Sequence, residues 1–189
     1  MKMKKMNLVA MLLIATIVSA SAQKSEINTA KSTVTWTGNK IGGSHTGGIK
    51  IKEGYFEVKN GVIVGGKAII DMNSMTCTDL KDEGYNQKLI GHLKSDDFFG
   101  VEKYPTASFT ITKPSKLKNG KATVTGTLSI KGKTAPITFD IVQKGAVYTT
   151  QLKVDRSKYD VRYGSKSFFD NIGDKAIDDI FILDIQIAL

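Results

Sequence analysis

Residues 91–109 read GHLKSDDFFGVEKYPTASF and are the most informative stretch of the sequence for the fold. Two adjacent phenylalanines, Phe98 and Phe99, follow a short acidic turn and precede Tyr104-Pro105, where a strand is expected to begin. A connection has little reason to carry paired aromatic side chains unless they cover an apolar surface. The stretch therefore predicts a cap over an apolar interior.

Alternation of apolar and polar residues dominates the chain from Thr33 onward. A period of two residues is typical of a strand with one buried face. The clearest case runs from Ala122 to Ile130, where every second residue is apolar or glycine. Further strands are predicted around Val34 and Trp36, Ile49 and Ile51, Val62 to Met72, Ala107 to Ile111, Ile137 to Ile141, Ala146 to Val154, and Phe181 to Leu189.

Glycine turns join several of these strands directly. Asn60-Gly61 and Asn119-Gly120 are typical of tight hairpins, and Lys131-Gly132 and Lys144-Gly145 are further glycine turns. Successive hairpins build an antiparallel meander. About eight strands with one apolar face either stack as a sandwich or close into a barrel, which removes the exposed edges.

Two stretches interrupt the alternation, and each carries a pair of phenylalanines. Residues 79–100 predict a helix capped by Asp79, followed by a turn with the Phe98-Phe99 pair. Residues 165–173 predict a second short helix with the Phe168-Phe169 pair. Short helices at the end of a barrel are natural lids, although they also serve as packing elements outside the wall.

The pattern His-Leu-Lys-Ser-x-Asp-Phe-Phe at residues 92–99, followed by Lys-Tyr-Pro, resembles the signature of the YceI-like family. Residues 127–141 and 154–165 are similar to the family's next hairpin and to its late Asp-Arg-Ser segment. Gly91 departs from the pattern, because many members carry an acidic residue there. The resemblance implies a periplasmic, lipocalin-like antiparallel barrel that binds polyisoprenoid lipids, and it favours the barrel over the sandwich.

Residues 1–22 have the three-part form of a secretory signal peptide, with three early lysines, an apolar run at 8–18 and Ala20-Ser21-Ala22. The apolar run is shorter than the roughly 20 residues that a membrane-spanning helix needs. We therefore expect cleavage after Ala22, a periplasmic or secreted bacterial protein, and one barrel domain over residues 23–189.

Without the leader lysines the formal net charge falls from +9 to +6. This excess favours anionic partners, including transient contact with a membrane surface. Lysines are scattered through the turns, so a nucleic-acid partner is not predicted. The sequence does not decide between a monomer and a homodimer.

No pattern typical of catalysis or metal binding is present in the sequence. The two histidines, His45 and His92, lie in no spacing such as His-x-x-x-His, and neither has an acidic partner at a diagnostic offset. Cys77 is the only cysteine and has no base beside it, so we expect a small buried residue. No catalytic residue, metal or cofactor is predicted.

The barrel interior is the predicted binding site. Inward-facing side chains would line it and the phenylalanine pairs would control access. The two arginines near the rim would either bind a phosphate head group or, as we favour, pair with nearby carboxylates. The predicted ligand-binding residues are Trp36, His92, Phe98, Phe99, Phe109, Leu128, Phe139, Tyr148, Arg156, Arg162, Phe168 and Phe169.

The function expected from these features is non-catalytic binding, sequestration or transport of a long-chain amphiphile, such as a polyisoprenoid or an isoprenoid quinone. Three alternatives fit the same residues. The chain is a broad scavenger of apolar small molecules under stress, an enzyme that acts on isoprenoid lipids, or a scaffold barrel whose interior is filled by side chains.

Overall fold

The computed structural model describes residues 21–189, which form an antiparallel β-barrel. The strands are β1 (Gln23–Glu26), β2 (Thr33–Lys40), β3 (Gly43–Lys59), β4 (Val62–Asp71), β5 (Thr106–Lys113), β6 (Ser115–Lys116), β7 (Lys121–Ile130), β8 (Lys133–Lys144), β9 (Val147–Asp155) and β10 (Ile180–Ala188). The described residues contain one α-helix, α1 (Glu83–Lys94), and short 3₁₀ helices at Met72–Ser74, Arg156–Tyr159 and Gly173–Lys175. No helix within residues 21–189 is both long and apolar enough to cross a membrane.

Eight strands close into the barrel in the order β3-β2-β10-β9-β8-β7-β5-β4, and β4 pairs again with β3. The short strands β1 and β6 pair with β3 and β4 outside this ring. Closure provides each long strand with a neighbour on both sides, although β8 and β9 are paired over only three residues of each strand. The prediction of an all-β, eight-stranded antiparallel barrel is confirmed.

The predicted turns and buried faces explain how neighbouring strands of the barrel pair. Both residues of Asn60-Gly61, Asn119-Gly120 and Lys131-Gly132 have positive φ, the geometry of tight hairpins that match strand twist. Alternate residues of β7 from Ala122 to Ile130 are buried, and the residues between them are half-buried or exposed. The prediction of one apolar face per strand is therefore confirmed for this strand.

The two ends of the barrel differ. One end carries the β2–β3 hairpin, α1, the Lys131-Gly132 turn and residues 156–179, and we call it the mouth. The other end is closed by a tightly packed cluster of apolar side chains that includes Ile27, Ile63, Val124, Ile141 and Tyr148. The barrel is thus plugged at one end and covered by longer connections at the other.

Strands β8 and β9 separate soon after their shared turn. They pair only from Val142 to Lys144, whereas β8 pairs with β7 along almost its whole length. Pro136 lies in the separated part of β8, and the register of the hairpin turns its nitrogen toward β9. A proline is tolerated at such a position because no ladder hydrogen bond is lost. We call this gap the seam.

Both insertions lie at the mouth, but they differ in detail from the prediction. Helix α1 begins at Glu83, and the carboxylate of Asp82, not Asp79, caps it by accepting from the Tyr85 N–H. Residues 165–172 form turns rather than a helix around the Phe168-Phe169 pair, and a 3₁₀ helix begins only at Gly173. Asn171 has a φ of 61°, which a right-handed helix does not accommodate.

Candidate functional site

The barrel encloses a cavity of about 590 Å³ that reaches the mouth. Strand alternation turns Trp36, Ile70, Phe139, Leu183 and Ile185 inward, yet each of them is only half-buried. Their remaining exposure is to the cavity, because their strands face the interior on that side. Side chains therefore line the barrel without filling it.

Polarity changes along the cavity. Its inner part is lined by apolar side chains such as Ile51, Val124 and Ile141. The mouth adds polar groups, among them Lys40 and Lys175. Such a gradient suits a molecule with an apolar chain and a polar head, because burying an unpaired polar group is costly.

Helix α1 lies over the cavity with one face. Leu89, His92 and Leu93 contribute to the wall from positions three and four residues apart, which share a helix face. The His92 ring meets the Phe98 and Tyr163 rings edge to face, with centroid distances of 5.0 Å and 4.4 Å. The first insertion thus places an aromatic cluster across the mouth.

The structure brings nine of the predicted site residues around this one space. Phe98 is buried, and Phe99 packs edge to face on Phe181 with ring centroids 6.3 Å apart. Deeper in the barrel, Phe109 and Phe139 have ring centroids 5.3 Å apart. That these residues bind a ligand stays a prediction. The nine are Trp36, His92, Phe98, Phe99, Phe109, Leu128, Phe139, Tyr148 and Arg156.

Three predicted residues, Arg162, Phe168 and Phe169, lie outside the cavity wall. Phe168 and Phe169 are exposed on the second insertion, because the helix that would have turned them inward does not form. The guanidinium of Arg162 lies 5.0 Å from the centre of the Phe168 ring. Its Nε donates to Asp160 Oδ1 at 2.6 Å on the surface.

Arg156 is buried, and its guanidinium is fully engaged by protein atoms. It donates to four backbone carbonyls at 2.7–3.0 Å, and its Nη2 lies 3.5 Å from Asp179 Oδ1. Burial lowers the pKa of Arg156, and the charge of Asp179 opposes that shift. The guanidinium therefore holds the second insertion to the barrel. For Arg156 this agrees with the favoured interpretation that the arginines pair with nearby carboxylates. The carbonyls are those of Val161, Tyr163, Ile177 and Asp178.

A second group of polar side chains meets near the mouth. His45 Nδ1 lies 2.8 Å from Asp79 Oδ2, and the Cys77 thiol donates to Asp79 Oδ1 at 3.2 Å. The sequence offers no acidic partner for His45 at a diagnostic offset, and the fold supplies Asp79 because residues 75–79 run beside β3. No spacing rule finds this contact, since His45 and Asp79 are 34 residues apart.

The ionisation of this group follows from its surroundings. Burial raises the pKa of the Cys77 thiol. Burial also acts to raise the pKa of Asp79, but the hydrogen bonds from the Thr46 N–H and His45 outweigh it and hold that pKa well below its ordinary value. Asp79, rather than His45, contacts the thiol, so Cys77 has no base to activate it.

Known proteins resemble this chain in sequence and in fold. The model of the YceI-like domain matches residues 26–189. A UPF0312 protein of Shewanella denitrificans is 30% identical over 130 residues, which cover 68% of this chain and 65% of that relative. UPF0312 protein plu2095 of Photorhabdus laumondii is 48% identical over 46 residues, or 24% of this chain and 23% of that one.

Two solved structures share the architecture. Burkholderia cenocepacia BcnA superposes with a TM-score of 0.68 at 24% identity, covering 86% of this chain and 99% of BcnA. A polyisoprenoid binding domain from Saccharophagus degradans superposes with a TM-score of 0.57 at 14% identity, covering 88% of this chain and 97% of that domain. At these identities the two structures establish a common fold. Because the domain model matches nearly the whole described barrel, the chain belongs to the YceI-like family.

Proposed function

We propose that this chain binds a long-chain amphiphile, either a polyisoprenoid or an isoprenoid quinone, inside the barrel and releases it unchanged. The observation that carries the proposal is the apolar cavity of about 590 Å³ with polar groups at its mouth. That volume lies within the range of about 300–1,000 Å³ that is usual for small-molecule sites. A thin apolar chain suits a cavity with a mostly apolar wall.

The energetics favour an apolar chain in this cavity. Removing apolar surface from water contributes about 25 cal/mol per Å², so each added isoprene unit strengthens binding until the cavity is full. Part of that gain offsets the loss of motion in the ligand. Affinity should therefore rise with chain length and then level off.

Membership of the YceI-like family supports a lipid ligand, since one protein of the same fold is a polyisoprenoid binding domain. A catalytic role has less support from the described residues. The buried thiol of Cys77 has a raised pKa and contacts a carboxylate, the opposite of an activated nucleophile.

Export forms part of the proposal, because an amphiphile carrier of this kind would act in the periplasm or outside the cell. The signal-peptide pattern of residues 1–22 supports it. We expect N-terminal sequencing of protein isolated from its host to begin at Gln23. Protein that retains residues 1–22 would contradict export.

Native mass spectrometry of protein isolated without detergent tests the binding function. We expect a bound lipid mass that is released unchanged on denaturation. Ala68 lies in the cavity wall, so Ala68→Trp should fill the space and remove most of the bound lipid. Ala30→Trp, at an exposed position in the loop after β1, is the matched control and should retain it.

Each alternative function predicts a different result. A chemically altered lipid would indicate an enzyme, and mixed unrelated apolar masses would indicate a scavenger. If folded protein carries no lipid and binds no added polyprenol or quinone, the proposal is wrong and a scaffold role is favoured.

A further inference from the structure

We propose that His45, Cys77 and Asp79 form a binding site for one divalent transition-metal ion, with zinc as the best match. The three side chains each offer a ligand atom, and these atoms lie within 4.8 Å of one another. This inference does not depend on the lipid-binding proposal, because it rests on a separate group of side chains.

The ligand set suits zinc. Imidazole nitrogen, thiolate sulfur and carboxylate oxygen are its usual protein ligands, and three protein ligands leave one coordination position open. In a tetrahedral zinc site, bonds of about 2.0–2.3 Å place neighbouring ligand atoms about 3.5 Å apart. Asp79 Oδ2 lies 2.8 Å from His45 Nδ1 and Asp79 Oδ1 lies 3.2 Å from Cys77 Sγ, which is near that spacing. All three ligand groups fall within 4.8 Å of one another.

The backbone holds two separate parts of the chain together at this point. The N–H groups of Thr76 and Thr78 donate to the carbonyls of Gly48 and Thr46 at 2.9 Å. Gly47 permits this approach, because a Cβ there would lie 1.8 Å from the Thr76 carbonyl oxygen. The ligands from β3 and from residues 77–79 are therefore positioned before any ion binds.

Further hydrogen bonds orient the ligands. The Asn86 side chain donates to the Cys77 and Leu80 carbonyls at 3.0 Å and 2.9 Å, which ties this segment to α1. The Thr46 N–H donates to Asp79 Oδ1 at 2.8 Å. Outer contacts of this kind fix ligand geometry in metal sites and raise affinity.

Charge and access also fit a divalent ion. A thiolate, a carboxylate and a neutral imidazole together carry two negative charges, which a divalent cation balances. Cys77 is buried, but the side chains of His45 and Asp79 are 24% and 31% exposed and leave a route from solvent. His45 is also part of the cavity wall, so the ion would sit at the mouth.

Cobalt titration of the purified protein, stripped of metal and kept reduced, tests the site directly. We expect one ion per chain and a thiolate-to-cobalt charge-transfer band, which zinc then abolishes by displacement. Because this titration uses the wild-type protein, its result does not depend on whether a variant folds. Absence of the band at saturating cobalt would overturn the proposal.

Variants assign the ligands. Cys77→Ser should lose the band and weaken zinc affinity at least about tenfold in competition with a chromogenic chelator, and His45→Gln and Asp79→Asn should also weaken it. Asp170→Asn is the control, because this exposed carboxylate lies outside the group and should leave zinc affinity unchanged. Zinc should raise the melting temperature of wild type but not of Cys77→Ser. Equal zinc affinity in wild type and folded Cys77→Ser would refute the assignment.

Discussion

Arg156 anchors the second insertion at the mouth. Its guanidinium is turned away from solvent. Its N–H groups donate to backbone carbonyls between residues 161 and 178, and its Nη2 lies 3.5 Å from the Asp179 carboxylate. It also lies 5.7 Å from the centre of the Phe98 ring, so it connects the second insertion to the first. A buried charge with this many partners stabilises one arrangement of the connections over others.

Arg156→Lys should destabilise the fold rather than remove a head-group contact. Lysine keeps the charge but lacks the planar fork, so several buried carbonyls lose a donor, each at a cost of about 1–3 kcal/mol. We expect a lower urea midpoint and equal losses of affinity for phosphorylated and neutral lipids of equal chain length. Arg162→Lys, which changes an exposed ion pair, should leave the midpoint unchanged. A selective loss of phosphorylated lipid in Arg156→Lys would instead assign it to the head group.

Phe98→Ala tests the aromatic cluster at the mouth. Phe98 is buried against His92 and Tyr163, so its truncation should cost about 3–5 kcal/mol of unfolding free energy. Because the same ring covers the cavity, lipid release measured by stopped-flow transfer to vesicles should also accelerate.

The control for Phe98→Ala is Tyr85→Ala, which removes an exposed aromatic ring from helix α1 of the same insertion. It should change neither stability nor release appreciably. If folded Phe98→Ala releases lipid at the wild-type rate, the ring serves packing alone.

At the scale of secondary structure, the wall of the barrel is uneven. β8 is bonded to β7 along most of its length but to β9 only near their common turn. Across the seam the Thr150 hydroxyl donates to the Asp140 carbonyl at 2.6 Å, where a backbone donor would stand in a continuous ladder. The seam is therefore the part of the wall that is held by the fewest strand contacts.

Hydrogen exchange should reveal the seam. The hairpin register turns the amides of Thr138 and Asp140 toward β9, while those of Ile137 and Phe139 bond to β7. We expect the first pair to exchange faster than the second in residue-resolved NMR, because strand hydrogen bonds protect amides. The alternate amides of one strand serve as internal controls. Equal protection would mean that β8 and β9 pair in solution.

At the scale of the whole molecule, stability depends on acidic groups that anchor the connections. Burial acts to raise the pKa of Asp179, but the hydroxyls of Ser165 and Ser167 and the charge of Arg156 outweigh it, so that pKa lies below its ordinary value. A carboxyl with a lowered folded pKa stabilises the fold above its unfolded pKa of about 3.9. That contribution is lost as the pH falls through the folded value.

Asp179→Asn should therefore be less stable than wild type at pH 7, and the difference should shrink as the pH falls below about 4. Urea unfolding from pH 7 to pH 3 measures both curves. Asp174→Asn, on the exposed 3₁₀ helix of the same insertion, provides a matched control and should track wild type. A difference that stays constant with pH would show that the charge of Asp179 is not what stabilises the fold.

Much of the architecture could be predicted from short-range patterns. The alternation in β7 and the glycine turns each depend on two to four neighbouring residues. They can therefore be predicted from the sequence, and the structure contains them. The block at residues 92–99 pointed to the family that the domain match establishes. Inward-facing candidates such as Phe109 and Phe139 follow from alternation, which is why they line the cavity.

What the sequence determined by itself was the eight strands of the closed barrel, their buried faces and the family, because each depends on neighbours along the chain. It did not reveal the short strands β1 and β6. Only tertiary structure decided that the barrel interior is open, that Phe168 and Phe169 face away from it, and that Arg156 is paired. It also decided that Asp79 contacts both His45 and Cys77. These outcomes depend on packing between segments tens of residues apart, and no local periodicity carries that information.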